Sequence, residues 1–328
     1  MVKHDFIDRP LENFRTVSKL GLRKLALKKQ SKIPLKVSIL TTLIGLGIAS
    51  GAFAAGSYVE NFESYGTLSY SGSSASLNNG AVLYGNNTSA INTFNNGGLW
   101  KALRLAQDGT GSTQSAYVIG TVENSSTRVN SFTASFDLQL KSPDAAADNL
   151  SFDIGKLTGS LPRASDNGLW SSGQTGSMLS LVWDFYDNGS GDYVGTGGNG
   201  GIQLYKNGSL VAGSNVNNPA TVFGTVGSTF TRFNVRYDEE LNGGTLQLNT
   251  GGTVGAGNLI TGGTNLFTLS NLGVNFAAAD QFAFSAWTGG ASVDMFLDNI
   301  SIQTVPEPSA GALLAFGLGG LMAWRRRK

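Results

Sequence analysis

Histidine and cysteine carry most nucleophilic and soft-metal chemistry in proteins, and this chain has almost none of either. The single His is His4, and there is no Cys. A body without them holds no Ser-His-Asp or Cys-His triad, no His- or Cys-ligated zinc site and no disulfide. Oxygen ligands and aromatic rings remain. The densest oxygen group is Asp184, Asp187, Asn188 and Asp192, directly after or within the end of an apolar run at 178–186. Period-two geometry puts residues 184, 186 and 188 on one face if that run continues as a strand. Hard oxygens of this kind suit Ca2+; the alternative reading of Asp187-Asn188-Gly189-Ser190-Gly191-Asp192 is a polar turn. Two carboxylates flanking a glycosidic bond are a further option in principle. The Glu residues of the body are Glu60, Glu63, Glu123, Glu239 and Glu240. Glu60 and Glu63 point to opposite faces of a strand, and Glu239-Glu240 sit at a strand end before a turn, so no catalytic pair emerges. Trp170 lies in loop-like sequence, Asn167-Gly168-Leu169-Trp170-Ser171-Ser172-Gly173, and is the candidate to stack on a sugar. Trp100, Trp183, Trp287, Tyr84, Tyr117 and Tyr193 each read first as core or rim packing. The Gly cluster at 195–201 is followed by neither a helix nor a Lys, so it reads as a loop and not a phosphate cradle.

The elements that position these groups are strands. Between residues 55 and 304 apolar positions alternate with period two. Phe132, Ala134, Phe136, Leu138 and Leu140 face one way, with Thr133, Ser135, Asp137 and Gln139 facing the other; Phe233, Val235 and Tyr237, and Phe282, Phe284 and Ala286, repeat the pattern. Leu150, Phe152 and Ile154 make a shorter run. Residues 178–186 are nearly all apolar, which predicts a central strand covered on both faces. Asn207-Gly208 and Asn242-Gly243-Gly244 predict hairpin turns. Strands separated by such turns predict one antiparallel β-sandwich, and about 250 residues bury enough core to stand without disulfides. The stretches 58–65 and 295–303 are expected to pair, covering the first and last strands. Asp298-Asn299 reads as a turn into the last strand.

The ends of the chain are different material. Of the 23 Lys and Arg, ten fall within residues 1–36 and four are the last four residues, which leaves nine for the middle against 19 acids, Glu307 among them. An acidic body has no electrostatic footprint for nucleic acid. After the basic leader, residues 37–49 form an apolar run of signal-peptide length, too short for a comfortable span. Ala52-Phe53-Ala54 is a small-x-small site, which predicts cleavage by signal peptidase between Ala54 and Ala55. At the other end Val305-Pro306-Glu307-Pro308-Ser309 stops the last strand. Residues 309–324 then make an apolar helix of roughly 24 Å, and Arg325-Arg326-Arg327-Lys328 holds its end on the cytoplasmic side. The expected organisation is a leader and signal helix at 1–54, a β-sandwich body at 55–304, and a sorting segment at 305–328. Only the terminal segments would touch a membrane.

The last segment resembles the PEP-CTERM sorting signal of Gram-negative bacteria: Pro306, Glu307 and Pro308, a short hydrophobic helix, and a terminal Arg cluster. That resemblance implies processing by an exosortase and a destination at the cell surface or in an exopolysaccharide matrix. The order of segments across 97–303 resembles the concanavalin A-like jelly roll of L-type lectins and many glucanases. Its pieces are Leu99-Trp100-Lys101-Ala102-Leu103-Arg104-Leu105, Phe132-Thr133-Ala134-Ser135-Phe136-Asp137, Ala147-Asp148-Asn149-Leu150-Ser151-Phe152 and Leu181-Val182-Trp183-Asp184-Phe185-Tyr186-Asp187-Asn188. The loop Ala286-Trp287-Thr288-Gly289-Gly290 and the strand Leu297-Asp298-Asn299-Ile300-Ser301-Ile302 complete the order. The likeness implies a sugar-binding role for Asp148 and Ca2+ ligation by Asp184 and Asn188, with Asp192 nearby. Two positions depart from it: Val182 stands where the lectin pattern has an acid, and Asn149 stands where it has a Gly. The Glu-x-Asp-x-(x)-Glu strand of the glucanases is absent. The expectation is therefore a non-enzymatic, exported surface or matrix protein that meets surface polysaccharide, with a lectin-like, Ca2+-dependent sugar-binding module as the alternative and a glycan hydrolase behind both. No cofactor other than Ca2+ is implied.

Overall fold

The structure is a computed structural model of the chain. It describes residues 56–65, 75–77, 79–85, 92–95, 101–106, 113–120, 129–141, 149–157, 178–185, 201–211, 216–217, 229–255, 259–277, 280–288 and 293–306. Among these there is no helix. None of them therefore forms a helix long and apolar enough to cross a membrane. The predicted signal and sorting helices lie outside the described residues.

The strands are β1 (Ser57–Glu60), β2 (Ala75–Ser76), β3 (Val82–Gly85), β4 (Asn92–Asn95), β5 (Lys101–Ala106), β6 (Thr113–Ile119), β7 (Val129–Lys141), β8 (Asn149–Gly155), β9 (Met178–Asp184) and β10 (Gly201–Lys206). They continue with β11 (Ser209–Leu210), β12 (Val216–Asn217), β13 (Thr231–Asp238), β14 (Thr245–Thr250), β15 (Thr253–Val254), β16 (Ile260–Thr261), β17 (Thr264–Leu269), β18 (Gln281–Thr288) and β19 (Asp294–Pro306). Sheet A runs β17-β14-β13-β7-β19-β5-β4, with β1 also on β19; sheet B runs β11-β10-β9-β8-β18-β6-β3-β2, with β12 on β10. β15 and β16 form a separate hairpin. Every pairing is antiparallel.

The alternating apolar residues become the facing surfaces of the two sheets. Phe132, Phe136, Phe233 and Tyr237 of sheet A meet Phe152, Trp183, Phe282 and Phe284 of sheet B in one cluster. Phe136 is its hub, with ring centroids 4.8 Å from Phe284, 5.3 Å from Phe152, 5.8 Å from Trp183 and 6.1 Å from Phe233. Tilted and edge-on contacts of this kind suit the ring quadrupoles and add to the burial of large apolar area. The segment after β17 closes one margin of the core with Leu272, Val274 and Phe276, and the Tyr237 hydroxyl donates to the Val274 carbonyl at 2.8 Å. As expected, β9 is buried along its whole length. Asn207-Gly208 turns β10 into β11 with φ of 51° and 74°, the left-handed pair that a two-residue hairpin of this hand needs.

The first and last strands pair, but over a shorter stretch than the sequence predicts. β1 takes only Ile300–Gln303 of β19, while Met295–Leu297 pair with β5. The reason is a bulge. Asp298 faces Asp137 and Ser301 faces Ser135, so β19 spends three residues where β7 spends two. Asn299 takes up the extra residue at φ 48°, a conformation Asn tolerates better than most residues. Asp298-Asn299 is therefore a kink inside the last strand and not a turn leading into it. The bulge turns both Leu297 and Ile300 into the core. On the outer face the Asp137 carboxylate accepts from Arg232 Nη2 at 2.8 Å, from Arg232 Nε, and from Asn299 Nδ2 at 2.9 Å. Asp298 accepts from the Asn299 N–H at 2.7 Å.

Two consequences are measurable. Phe136→Ala empties the hub of the aromatic cluster and is expected to cost ~3–5 kcal/mol, read as a lower urea midpoint with unchanged m. Burial, with the Asp137 and Glu63 charges behind it, pushes the Asp298 carboxyl up to about 7, against the opposing pull of the Asn299 N–H and Arg232. A carboxyl that ionises later in the folded than in the unfolded chain makes the folded state hold the extra proton between about pH 4 and 7. Its contribution to stability is thus full at low pH and is lost as pH rises through that window. Asp298→Asn should raise the melting temperature above wild type at pH 8, and the gap should close toward pH 4.

Candidate functional site

The outer face of sheet B gathers the groups that the sequence marks for chemistry. Leu150, Phe152, Trp183, Ile202 and Phe284 point into the core, so the residues between them point outward. In register order, Asn149 faces Asp184 on β9 and Trp287 on β18, and Gln114 of β6 lies beyond Trp287. These four define one row across the end of the sheet. In sequence, Asp148 directly precedes Asn149, Asn188 and Asp192 follow Asp184 by four and eight residues, and Gly289-Gly290 follow Trp287 by two and three.

Behind that row the face divides into a polar and an apolar half. On β8, β9, β10 and β18 it presents Ser151, Asp153, Ser180, Gln203, Tyr205 and Ser285, all buried. Ser151 Oγ donates to Asp153 Oδ2 at 2.5 Å and lies 2.5 Å from Ser285 Oγ. Ser285 Oγ also lies 3.3 Å from Asp153 Oδ2, so both hydroxyls gather on one carboxylate oxygen. The Tyr205 hydroxyl donates to Gln203 Oε1 at 2.6 Å, and Gln203 Nε2 is buried without a hydrogen-bond partner. On β3, β6 and β18 the face carries a small apolar patch of Ala116, Val118 and Ala283, with Tyr84 and Trp287 half-buried against it. Of this face only the half-buried rings of Tyr84 and Trp287 offer surface, and a ring so placed can take the C–H face of a pyranose; the hydroxyls, amides and carboxylates beside them are buried.

The sequence candidates fare unequally. Asp184 is the last residue of β9 and its side chain is 5% exposed. Asp148, Trp170, Asn188 and Asp192 lie outside the described residues, as do Ala54, Ala55, Glu307 and Pro308; Pro306 is the last residue of β19. Trp183 and Tyr117 are core residues with no accessible surface, which rules them out as sugar platforms, whereas Tyr84 and Trp287 lie on the outer face. The hydroxyl–carboxylate row on the outer face was legible only as alternate polar positions in β8, β10 and β18. Its burial was not legible, because period two gives the direction of a side chain and not what covers it.

Among the described residues no three acidic or His side chains group to hold a metal ion. Val182 shares the outer face with Asp184, two residues away, and is fully buried. It offers no oxygen at the position where the lectin pattern has an acid, so the described residues do not fit that Ca2+ site. The Asp137–Asp298 pair on sheet A is no acid–base couple for a substrate either, since both side chains are buried and engaged with Arg232 and Asn299.

Residues 304–328 match a family model described as the PEP-CTERM protein-sorting motif. A comparison with curated protein sequences gives no match. Among solved structures the chain is similar to lectin I-B4 from Griffonia simplicifolia in its metal-free form, with a TM-score of 0.52 and 16% identity over 76% of this chain and 98% of that one. It is also similar to the lectin from Bauhinia forficata in complex with GalNAc, with a TM-score of 0.51 and 12% identity over 78% of this chain and 100% of that one. At such identities the likeness is one of fold. With two antiparallel sheets in front of that motif, the chain is an exported protein that carries a PEP-CTERM sorting motif behind a lectin-type, concanavalin A-like jelly roll.

Proposed function

We propose that the protein is a non-enzymatic component of the cell surface or extracellular matrix of a Gram-negative bacterium, whose body binds polysaccharide at the end of sheet B around Trp287, the half-buried ring of the row that it shares with the buried Asn149 and Asp184. That row is the observation that carries the reading. It sets an aromatic ring, an amide and a carboxylate on one face, with Asp148 directly before Asn149 and Asn188 four residues after Asp184 in sequence. The body has neither His nor Cys, which supports binding over catalysis, and the motif at 304–328 supports processing by an exosortase at the membrane before release to the surface.

The decisive experiment is a glycan array, with the producer's own exopolysaccharide included, probed with the mature protein purified from the surface fraction. Polysaccharide binding is expected, and Trp287→Ala should weaken it about tenfold, or about 1.4 kcal/mol, when measured well below the variant's melting temperature, which falls because the half-buried ring also packs on the outer apolar patch. Binding to no glycan would leave the body a scaffold only, and turnover of a bound glycan would make it an enzyme. Calorimetric scans in EDTA and in millimolar Ca2+ are expected to coincide, because Val182 removes one strong ligand. A melting temperature that rises with Ca2+ concentration would restore the metal to Asp184, Asn188 and Asp192.

A further inference from the structure

The hairpin that joins β14 to β17 outgrows sheet A. Thr250 faces Thr264 and Thr253 faces Thr261, so the register continues while the ladder stops between them. Gly251 and Gly252 on one strand, and Gly262 and Gly263 on the other, have φ of 65°, 79°, 71° and 74°. This left-handed geometry suits glycine and kinks both strands at one level. The two backbones also close on each other there. A Cβ on Gly252 would lie 2.6 Å from the Gly262 carbonyl oxygen, and one on Gly263 would meet the carbonyl oxygens of Thr250 and Gly251. The base is fixed to the body, since the Gly251 N–H donates to the Arg232 carbonyl at 2.8 Å and Asn234 Nδ2 donates to the Gly251 carbonyl at 2.6 Å. Beyond the kink β15 and β16 form a finger, with Val254 facing Ile260 and the Gly255 N–H donating to the Leu259 carbonyl at 2.8 Å.

Three properties of the finger call for a partner. Among the described residues its two strands pair with no third, and two strands alone are marginal in water. Leu259 stands 51% exposed on it. Its edges also lack the usual guards. Strand edges are kept apart by charges, Pro or bulges, yet residues 241–279 contain no Asp, Glu, Lys, Arg or Pro, and the bulge in this hairpin lies between β14 and β17, below the finger. The charge pattern then selects the partner. Outside the two basic ends the chain carries nine Lys and Arg against 19 acids, so two copies repel each other, and least where charge is absent. An uncharged aliphatic edge offers nothing to a strongly charged partner. It does match itself, because a strand set antiparallel to its own copy about a two-fold axis pairs group for group.

We propose that the finger joins two copies of this chain. β16 of one copy pairs antiparallel with β16 of the other about a two-fold axis, which turns two marginal hairpins into one four-stranded sheet and covers Leu259 of both. β16 is the strand used because it leads into β17, the outermost strand of sheet A, whereas β15 comes from β14, one strand further in. The contact is smaller than the ~800 Å² per partner of a standard interface, so the dimer is a weak one that forms at high local concentration. It needs no sugar and does not rest on the polysaccharide reading.

The test is sedimentation velocity of the mature protein, purified from the surface fraction and free of glycan, across micromolar to millimolar concentration. Wild type should pass from monomer to dimer over that range. The dimer should be tighter at high salt than at low, because salt screens the repulsion between the acidic bodies. Leu259→Glu puts a charge on the finger, outside the core, and should stay monomeric throughout with an unchanged melting temperature. The chain has no native Cys, so single Cys variants report the contact. Thr261→Cys, at an exposed position of β16, should form a disulfide-linked dimer in air several-fold faster than Ser209→Cys, on the exposed β11 at the edge of sheet B. Wild type that remains monomeric at millimolar concentration, Leu259→Glu that dimerises as tightly as wild type, or equal cross-linking at 209 and 261 overturns the proposal. If Leu259→Glu fails to accumulate, the two Cys variants decide alone.

Discussion

The aromatic seam between the sheets is the constraint from which most of the structure follows. Phe136 sits on the middle of the thirteen-residue β7, and its ring meets two rings of sheet B and a tryptophan at once. An exported domain of this size without a single Cys has no covalent staple, so uniqueness must come from packing, and large rings in fixed geometry supply it. The seam also fixes register. A one-residue slip of β7 would turn Phe132, Phe136 and Leu138 outward and bring Thr133, Asp137 and Gln139 into the core. Because β13 and β19 both read their register from β7, that choice propagates across the whole of sheet A.

The bulge in β19 follows from the same requirement. Leu297 and Ile300 both belong to the core, although strict alternation would put them on opposite faces. One extra residue reconciles them, and Asn299 supplies it at little conformational cost while its side chain bonds the carboxylates of Asp137 and Asp298. The kink then divides one edge of β19 between two partners, β5 before it and β1 after it. The pairing of β1 with β19 is thus tied to the packing of the core, since β1 takes the part of β19 that follows the bulge.

Most of this was legible in residue types. Alternation placed β7, β8, β13 and β18, an unbroken apolar run marked β9 as covered on both sides, and Asn207-Gly208 marked its hairpin, because each of these signals is local. The failures were non-local. Asp298-Asn299 has the composition of a turn, and only the partner strand reveals that it is a bulge. Trp183 and Trp287 look alike in sequence, and the difference between core and outer face is a single step of strand parity. Glu60 was read only as pointing to the strand face opposite Glu63, since nothing in Ser57-Tyr58-Val59-Glu60 announces that Asn79, Tyr65 and the Phe62 N–H converge on it. For the site, the apolar run read as 178–186 ends as a strand at Asp184, and Asp148, Trp170, Asn188 and Asp192 fall outside the described residues.

Fold and address are separate layers in this chain, and the site bridges them only through topology. A jelly roll serves many chemistries, so its presence says where a site can be built and not what it does. Here the first and last strands, β1 and β19, are bonded into sheet A, while the row of Asn149, Asp184 and Trp287 closes the end of sheet B. The sandwich therefore puts the backbone that leads to the sorting motif and the polar row on different sheets, joined through the seam.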